Sequence, residues 1–234
     1  MHQSSPKAGR SISLHRAVLI AVAIIAGVLC LARFSSAFDV GLIQRIAAKN
    51  ARGTAPATVT AWIKLLADVR DLPESDKLKS VNDFFNRNIR FEDDQTLWGQ
   101  SDYWATPLET LTADAGDCED FGIAKYFSLK VVGIPNARLR LIYVKAQLGG
   151  PSSGISQAHM VLAYYAAPDS EPLVLDNLIS EIRPASRRPD LSPVFSFNSD
   201  GIWAGVGANQ AAGDTSRLSR WRDLLVRARH EGFD

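Results

Sequence analysis

The chain has 234 residues and a formal net charge of +1, but the charge is unevenly placed. Residues 1–37 hold four of the 26 basic residues and none of the 25 acids, so residues 38–234 carry 22 basic against 25 acidic side chains, about −3. That balance argues against nucleic acid as a partner, because no basic surplus remains to neutralise phosphates.

The first segment reads as an export signal. Arg10 and Arg16 precede the apolar run Ala17–Ala32, and Ser35-Ser36-Ala37 supplies a small-residue end. A basic start, a short apolar core and an A-x-A-like site describe a secretory leader. The run is shorter than the roughly 20 residues that span a bilayer. We expect cleavage after Ala37, with an uncleaved inner-membrane anchor as the alternative. Cys30 follows Val28-Leu29 where a lipoprotein signal needs a small residue, so it does not mark a lipid anchor. Residues 38–234 then form one domain in an exported protein.

Three helices are expected first, over 38–48, 58–69 and 74–89. The third is the clearest, with Leu78, Val81, Phe85 and Ile89 three and four apart on one stripe. The aromatic and acidic stretch 91–107 has no period and reads as a long loop. It leads into a short helical turn at LETL, residues 108–111. A helix follows over 118–132, with Phe121, Ala124, Phe127 and Val131 as its buried stripe. Gly133 supplies its stop, and Pro135 prevents a restart. The pattern then turns to β, with strands at 139–145, 159–165 and 172–176. The Gly/Ser-rich QLGGPSSGIS between the first two is a loop. The basic run Arg183–Pro189 reads as a solvated loop, and residues 215–229 as an amphipathic helix capped by Thr215. Helices followed by an antiparallel sheet make the fold α+β.

Cys118, in the stretch AGDCEDFGIAKYF, is the only cysteine left once residues 1–37 are removed. A lone thiol in an exported protein has no internal partner. It sits at the first turn of a helix, where free N–H groups and the dipole favour the thiolate. Gly116 lets the backbone turn sharply into that helix. Nucleophilic thiol chemistry also needs a base and a group to orient it. His2 and His15 leave with the leader and His230 lies in the tail, so His159 is the base. A turn over Ala166–Asp169 would set His159 directly opposite Asp176 on one sheet face, within reach of a carboxylate–imidazole bond. The candidate catalytic residues are therefore Cys118, His159 and Asp176, a papain/transglutaminase-like arrangement with the thiol on a helix and its partners on an antiparallel sheet. The backbone N–H of Cys118 is one candidate oxyanion donor, and Tyr103 and Trp104 are candidates for the second.

Three motifs in order, GDCEDFGIAKYFSLK, QAHMVLAYY and EPLVLDNLISEIRPASRRPDLSPVFSFN, with DYWATPLETL before them, resemble the bacterial transglutaminase-like cysteine proteinases of the LapG type over most of residues 40–205. The resemblance implies a periplasmic cysteine protease, with Cys118 as nucleophile, His159 as base and Asp176 as orienting acid. It implies cleavage of the N-terminal region of a large surface adhesin, at a di-alanine site, to release biofilm cells. It also implies control by an inner-membrane cyclic-di-GMP receptor with a periplasmic domain, and calcium bound by Asp117 and Glu119, with Asp120 as a third ligand. Three carboxylates in four residues suit a cation that takes six to eight oxygens. They equally suit a helix N-terminus. Acids beside a thiol raise its pKa, and a bound cation would cancel that penalty. The loop after Lys145 is longer than the family pattern. Other expectations on this fold are a transglutaminase or peptidoglycan amidase, which share the acyl-enzyme and differ in who attacks it, or a non-catalytic envelope binding module.

Overall fold

A computed structural model describes residues 40–50, 55–149, 153–207, 213, 215 and 218–233; the leader expected over residues 1–37 lies outside these. Among the described residues no helix is long and apolar enough to cross a membrane.

Helices α1 (Val40–Asn50), α2 (Ala55–Val69) and α3 (Glu74–Asn88) come first. Val59, Trp62, Leu66 and Val69 form the buried stripe of α2, and Leu78, Val81 and Phe85 that of α3, with Ile89 buried just beyond it. The stretch expected as a loop holds a two-residue strand β1 (Arg90–Phe91) and a short helix α4 (Asp94–Trp98). Asp93 caps α4 by accepting the Thr96 N–H at 2.9 Å, and Gly99 ends it in the left-handed region at φ 66°. A side-chain cap on a single turn leaves no periodic signature, which is why the sequence reads there as loop. Helix α5 (Pro107–Ala113) is larger than the expected turn. Its start is a reciprocal capping box, in which Thr106 Oγ1 accepts the Glu109 N–H and Glu109 Oε2 accepts the Thr106 N–H, with proline in the first turn.

Strand β2 (Ala115–Gly116) pairs in parallel with β1 and delivers the chain into α6 (Cys118–Val131). Helix α6 ends as the sequence indicates. Gly133 takes φ 93°, its N–H bonds Lys130 O at 3.0 Å, and Ile134 N–H reaches back to Leu129 O at 2.9 Å. That is a Schellman motif, which requires a residue tolerant of positive φ.

The sheet is antiparallel throughout. It contains β3 (Leu139–Gln147), β4 (Ser156–Tyr164), β5 (Leu173–Leu175), β6 (Arg183–Pro184), β7 (Leu191–Asn198) and β8 (Gly201–Ala204), in the order β6-β5-β4-β3-β7-β8. The α+β class therefore holds. Strands β6 to β8 add an edge and a flank that the sequence reading did not resolve. One face, with Leu139, Leu141, Met160, Leu162, Leu175 and Phe197, joins the main core beneath α6. The other carries a smaller cluster around Ile142, Val144, Val161 and Val174.

Three local expectations are corrected. Helix α6 buries every residue from Asp120 to Leu129 rather than one stripe, because it lies between the sheet and helices α3 and α5. The β4–β5 ladder pairs Leu162 with Leu175, so Asp176 falls beside Val161, two residues from the expected register. The connection is longer than a four-residue turn, and a two-residue slip keeps the same side chains on the same face. The last helix, α7 (Ser219–His230), starts after Leu218 with no side-chain cap, so Thr215 is not its N-cap.

Candidate active site

The thiol is placed by backbone pairing. In the β1–β2 ladder Arg90 pairs with Ala115 and Phe91 with Gly116, and Glu92 N–H bonds Gly116 O at 3.0 Å. Just beyond β1, at the first position of α4, this brings Asp94 to the acids around Cys118. Cys118 is half-buried at the first position of α6, and it is the free cysteine among the described residues. Its S–H donates to Glu119 Oε2 at 2.7 Å. The backbone N–H of Met160 points at the sulfur, which sets the thiol alongside the His159–Met160 segment of β4. Burial, then the charges of Glu119 and Asp117, push the Cys118 thiol far up. These residues alone hold the thiol protonated.

His159 and Asp176 meet as the sequence reading expects, though on the diagonal rather than directly across. His159 Nε2 lies 2.8 Å from Asp176 Oδ1, and both side chains are buried. Burial alone would raise the Asp176 carboxyl, but hydrogen bonds from His159, Leu178 N–H and Arg188 hold it at about 2. Asp176 is therefore ionised, Nε2–H is the donor, and in the neutral ring Nδ1 keeps the lone pair that can accept a proton. Asn86 Nδ2 anchors the backbone at Asp176 O at 2.7 Å.

Sequence reasoning missed Arg188. The run expected as solvated loop forms β6 and a single 3₁₀ turn, Ala185–Arg187, that buries Arg188. Its Nη2 donates to Asp176 Oδ2 at 2.6 Å and to Asp190 Oδ2 at 2.7 Å. The signal available was weak: one arginine among three in that run, twelve positions after the key aspartate.

The acids flanking Cys118 fall into two overlapping groups. Asp117 and Glu119 share one with the Cys118 sulfur. Asp117 and Asp120 share the other with Asp94, their ligand atoms all within 4.8 Å of one another. Asp94 was not foreseen, since nothing local to the sequence joins 94 to 117. Asp120 is fully buried. It accepts from Ala105 N–H at 2.8 Å and from Asp117 N–H at 3.3 Å, so it also serves as the helix cap. The backbone N–H of Tyr103 holds the other oxygen of Asp94. The Oδ1 atoms of Asp94 and Asp117 are buried without a hydrogen-bond partner among the described residues. Burial, reinforced by their mutual charge, raises Asp94 to about 6, Asp117 to about 9 and Asp120 well above the carboxylate range. Converging carboxylates with orphaned oxygens fit a hard cation with oxygen ligands.

Gly116 matters for space rather than for backbone conformation. A Cβ there would stand 2.7 Å from Asp120 Cβ and 2.8 Å from its Oδ2. Tyr103 and Trp104 are not free to serve as oxyanion donors. The phenol donates to Glu109, the indole N–H donates to Asp102 at 3.0 Å, and the Trp104 ring stacks on Phe197.

A helix layer bearing a lone thiol, packed on an antiparallel sheet bearing a histidine–aspartate pair, is the architecture of transglutaminase-like proteins. Comparison with known proteins sharpens this. Residues 67–190 match the family described as bacterial transglutaminase-like cysteine proteinase. Three solved structures of Legionella pneumophila LapG match as well. One has 41% identity and a TM-score of 0.69, covering 83% of this chain and 99% of that one. An EGTA-treated form has 40% identity and a TM-score of 0.71, with coverage of 83% and 100%. A calcium-bound form has 40% identity and a TM-score of 0.66, with coverage of 79% and 96%. A comparison with curated proteins gave no match. The chain belongs to the bacterial transglutaminase-like cysteine proteinase family.

Proposed function

We propose that this chain is a periplasmic, calcium-dependent cysteine endopeptidase that cuts the N-terminal region of a large surface adhesin at a di-alanine site and so releases biofilm cells. Residues 1–37 are its leader or anchor and residues 38–234 its enzyme domain. An inner-membrane cyclic-di-GMP receptor with a periplasmic domain is the partner that holds it inactive; this part of the reading rests on the family resemblance alone.

The observation that carries the reading is the buried His159–Asp176 pair, its histidine on the strand that borders Cys118, in a chain 83% of which matches nearly all of Legionella LapG. His159 Nδ1 takes the Cys118 proton, and the thiolate attacks the scissile carbonyl. Asp176 stays ionised and steadies the imidazolium that results. The Cys118 backbone N–H donates to the oxyanion. His159 then returns its proton to the leaving amine, and water hydrolyses the thioester with the same imidazole as base. Asp94, Asp117 and Asp120 would hold the calcium, with Glu119 beside them. Bound there, the cation supplies positive charge that offsets the acids now holding the thiol protonated.

The test is cleavage of a purified adhesin N-terminal fragment by the purified protein, with and without EGTA, beside Cys118→Ala. Cleavage should stop with EGTA, return with added calcium and be absent in Cys118→Ala, whose melting temperature should stay close to that of the parent. Activity indifferent to EGTA would reduce the acids to a helix cap. A folded protein that joins an amine to a glutamine side chain instead of cutting would make it a transglutaminase. One inert under all conditions would make it a binding module.

A further inference from the structure

The sheet face opposite α6 holds a cavity of about 220 Å³ between β3, β4 and the segment that follows β5. Ile142, Val144, Val161, Val174, Leu191 and Val206 supply aliphatic wall. Among the described residues that line it, the one charged side chain is Arg188, which is only 2% exposed. The guanidinium is unevenly used. Nη2 and Nε are taken by Asp176 and Asp190, while Nη1 is buried with no hydrogen-bond partner among the described residues.

We propose that this cavity is an effector site for an uncharged aliphatic acyl compound, an amide or ester, whose carbonyl oxygen accepts a hydrogen bond from Arg188 Nη1. Size sets the first limit. An apolar cavity of about 150 Å³ takes benzene, so this one takes roughly eight or nine non-hydrogen atoms. Wall chemistry sets the second, since an aliphatic lining admits a short alkyl chain and few polar atoms. Charge sets the third. Two carboxylates already share this one guanidinium, so a third anion would meet repulsion from both, and a cation would meet Arg188 itself. A neutral acceptor satisfies the free N–H without either penalty. The site is linked to the chemistry because the same guanidinium grips Asp176, the group that orients His159. A ligand that orders Arg188 biases that carboxylate, and the coupling runs both ways.

Hexanamide, with eight non-hydrogen atoms, is the probe, compared with hexanoate and hexylamine by ligand-observed NMR titration of the purified protein. Two cavity-filling variants, Val206→Phe and Ala185→Leu, stand outside the candidate catalytic residues, and at least one should keep the parent melting curve. Hexanamide should bind at least tenfold more tightly than either charged analogue, and a folded filled variant should lose at least tenfold. Saturating hexanamide should change the rate of Cys118 alkylation by iodoacetamide at least twofold, and should not do so in the filled variant. Any of three results would overturn the proposal: no hexanamide binding, hexanoate binding the tighter, or an alkylation rate unmoved at saturation. Neither readout uses a peptide substrate, so these failures stay distinct from failure of the peptidase reading.

Discussion

Single residues carry most of the risk at this site. Gly116 stands where an added methyl would collide with Asp120, which is clamped from two sides and cannot retreat. Gly116→Ala should therefore cost about 1–3 kcal/mol, the usual range for overpacking. It should also blunt any rise in melting temperature on adding calcium, as should Asp94→Asn. A calcium response intact in both variants would detach the acid cluster from the metal. Arg188 is the second such point. Asp176 sits near 2 when folded, against an ordinary aspartate value of 3.8. Its contribution is therefore present above about pH 4 and lost as pH falls toward 2. Arg188→Met removes a cation that holds the carboxylate down, so the acid-unfolding midpoint should move to higher pH. Breaking a buried ion pair costs about 3–5 kcal/mol, which for a domain of this size lowers the melting temperature by on the order of 10 °C. Circular dichroism across pH 2–7 reads both effects.

Helix α6 shows why periodicity alone underestimates an element. Its sequence mixes Lys125 and Ser128 with apolar residues, yet both are fully buried. Ser128 takes the Trp62 indole N–H at 2.9 Å and gives its own proton to Ala124 O at 2.7 Å, so its polarity is satisfied inside. A helix with neighbours on every side has no polar face to reveal its period. The β4–β5 hairpin makes the complementary point. The expected register was off by two, but parity survived, and parity is what keeps His159 and Asp176 on one face. At the end of α7, burial raises Glu231 to about 7. A raised carboxyl contributes stability that is complete below its unfolded pKa near 4.5 and disappears as pH rises through 7. Glu231→Gln should therefore raise the urea midpoint at pH 8 and leave it little changed at about pH 3.5, below the unfolded pKa. An equal shift at both values would mean that the carboxyl charge is not what costs stability there.

At the scale of the molecule, the C-terminal helix closes a structure whose family match ends at residue 190. The ring of Trp221 on α7 packs against Tyr126, Phe127 and Phe197, and Phe233 meets Trp62 and Phe127. Arg227 Nη2 donates to Trp104 O at 2.6 Å and Arg220 Nε to Asp102 O at 2.8 Å, fastening the segment that follows the short helix of Asp94. Trp221, Leu224 and Phe233 are almost wholly buried. At about 1.5–3 kcal/mol each, their loss takes a large share of the 5–15 kcal/mol that holds a typical domain together. A chain ended after residue 215 should lose its cooperative thermal transition, measured by calorimetry. A sharp transition near the parent temperature would show that α7 is dispensable.

Much of this protein was legible from local chemistry. The helices with clean stripes, the Schellman stop at Gly133, the α+β order and the candidate residues Cys118, His159 and Asp176 all follow from spacing, turn residues and the scarcity of cysteine and histidine. Each of those signals is either local or a count of rare residue types along the chain. The tertiary structure alone decided the rest. It carried Asp94 across the β1–β2 ladder to Asp117 and Asp120, and it buried Arg188 against Asp176. It also surrounded α6 on all sides and laid the C-terminal helix over the aromatic core. These depend on pairings between distant segments, where a charge that would be unremarkable in water becomes a ligand, an anchor or a liability only once its surroundings exclude water.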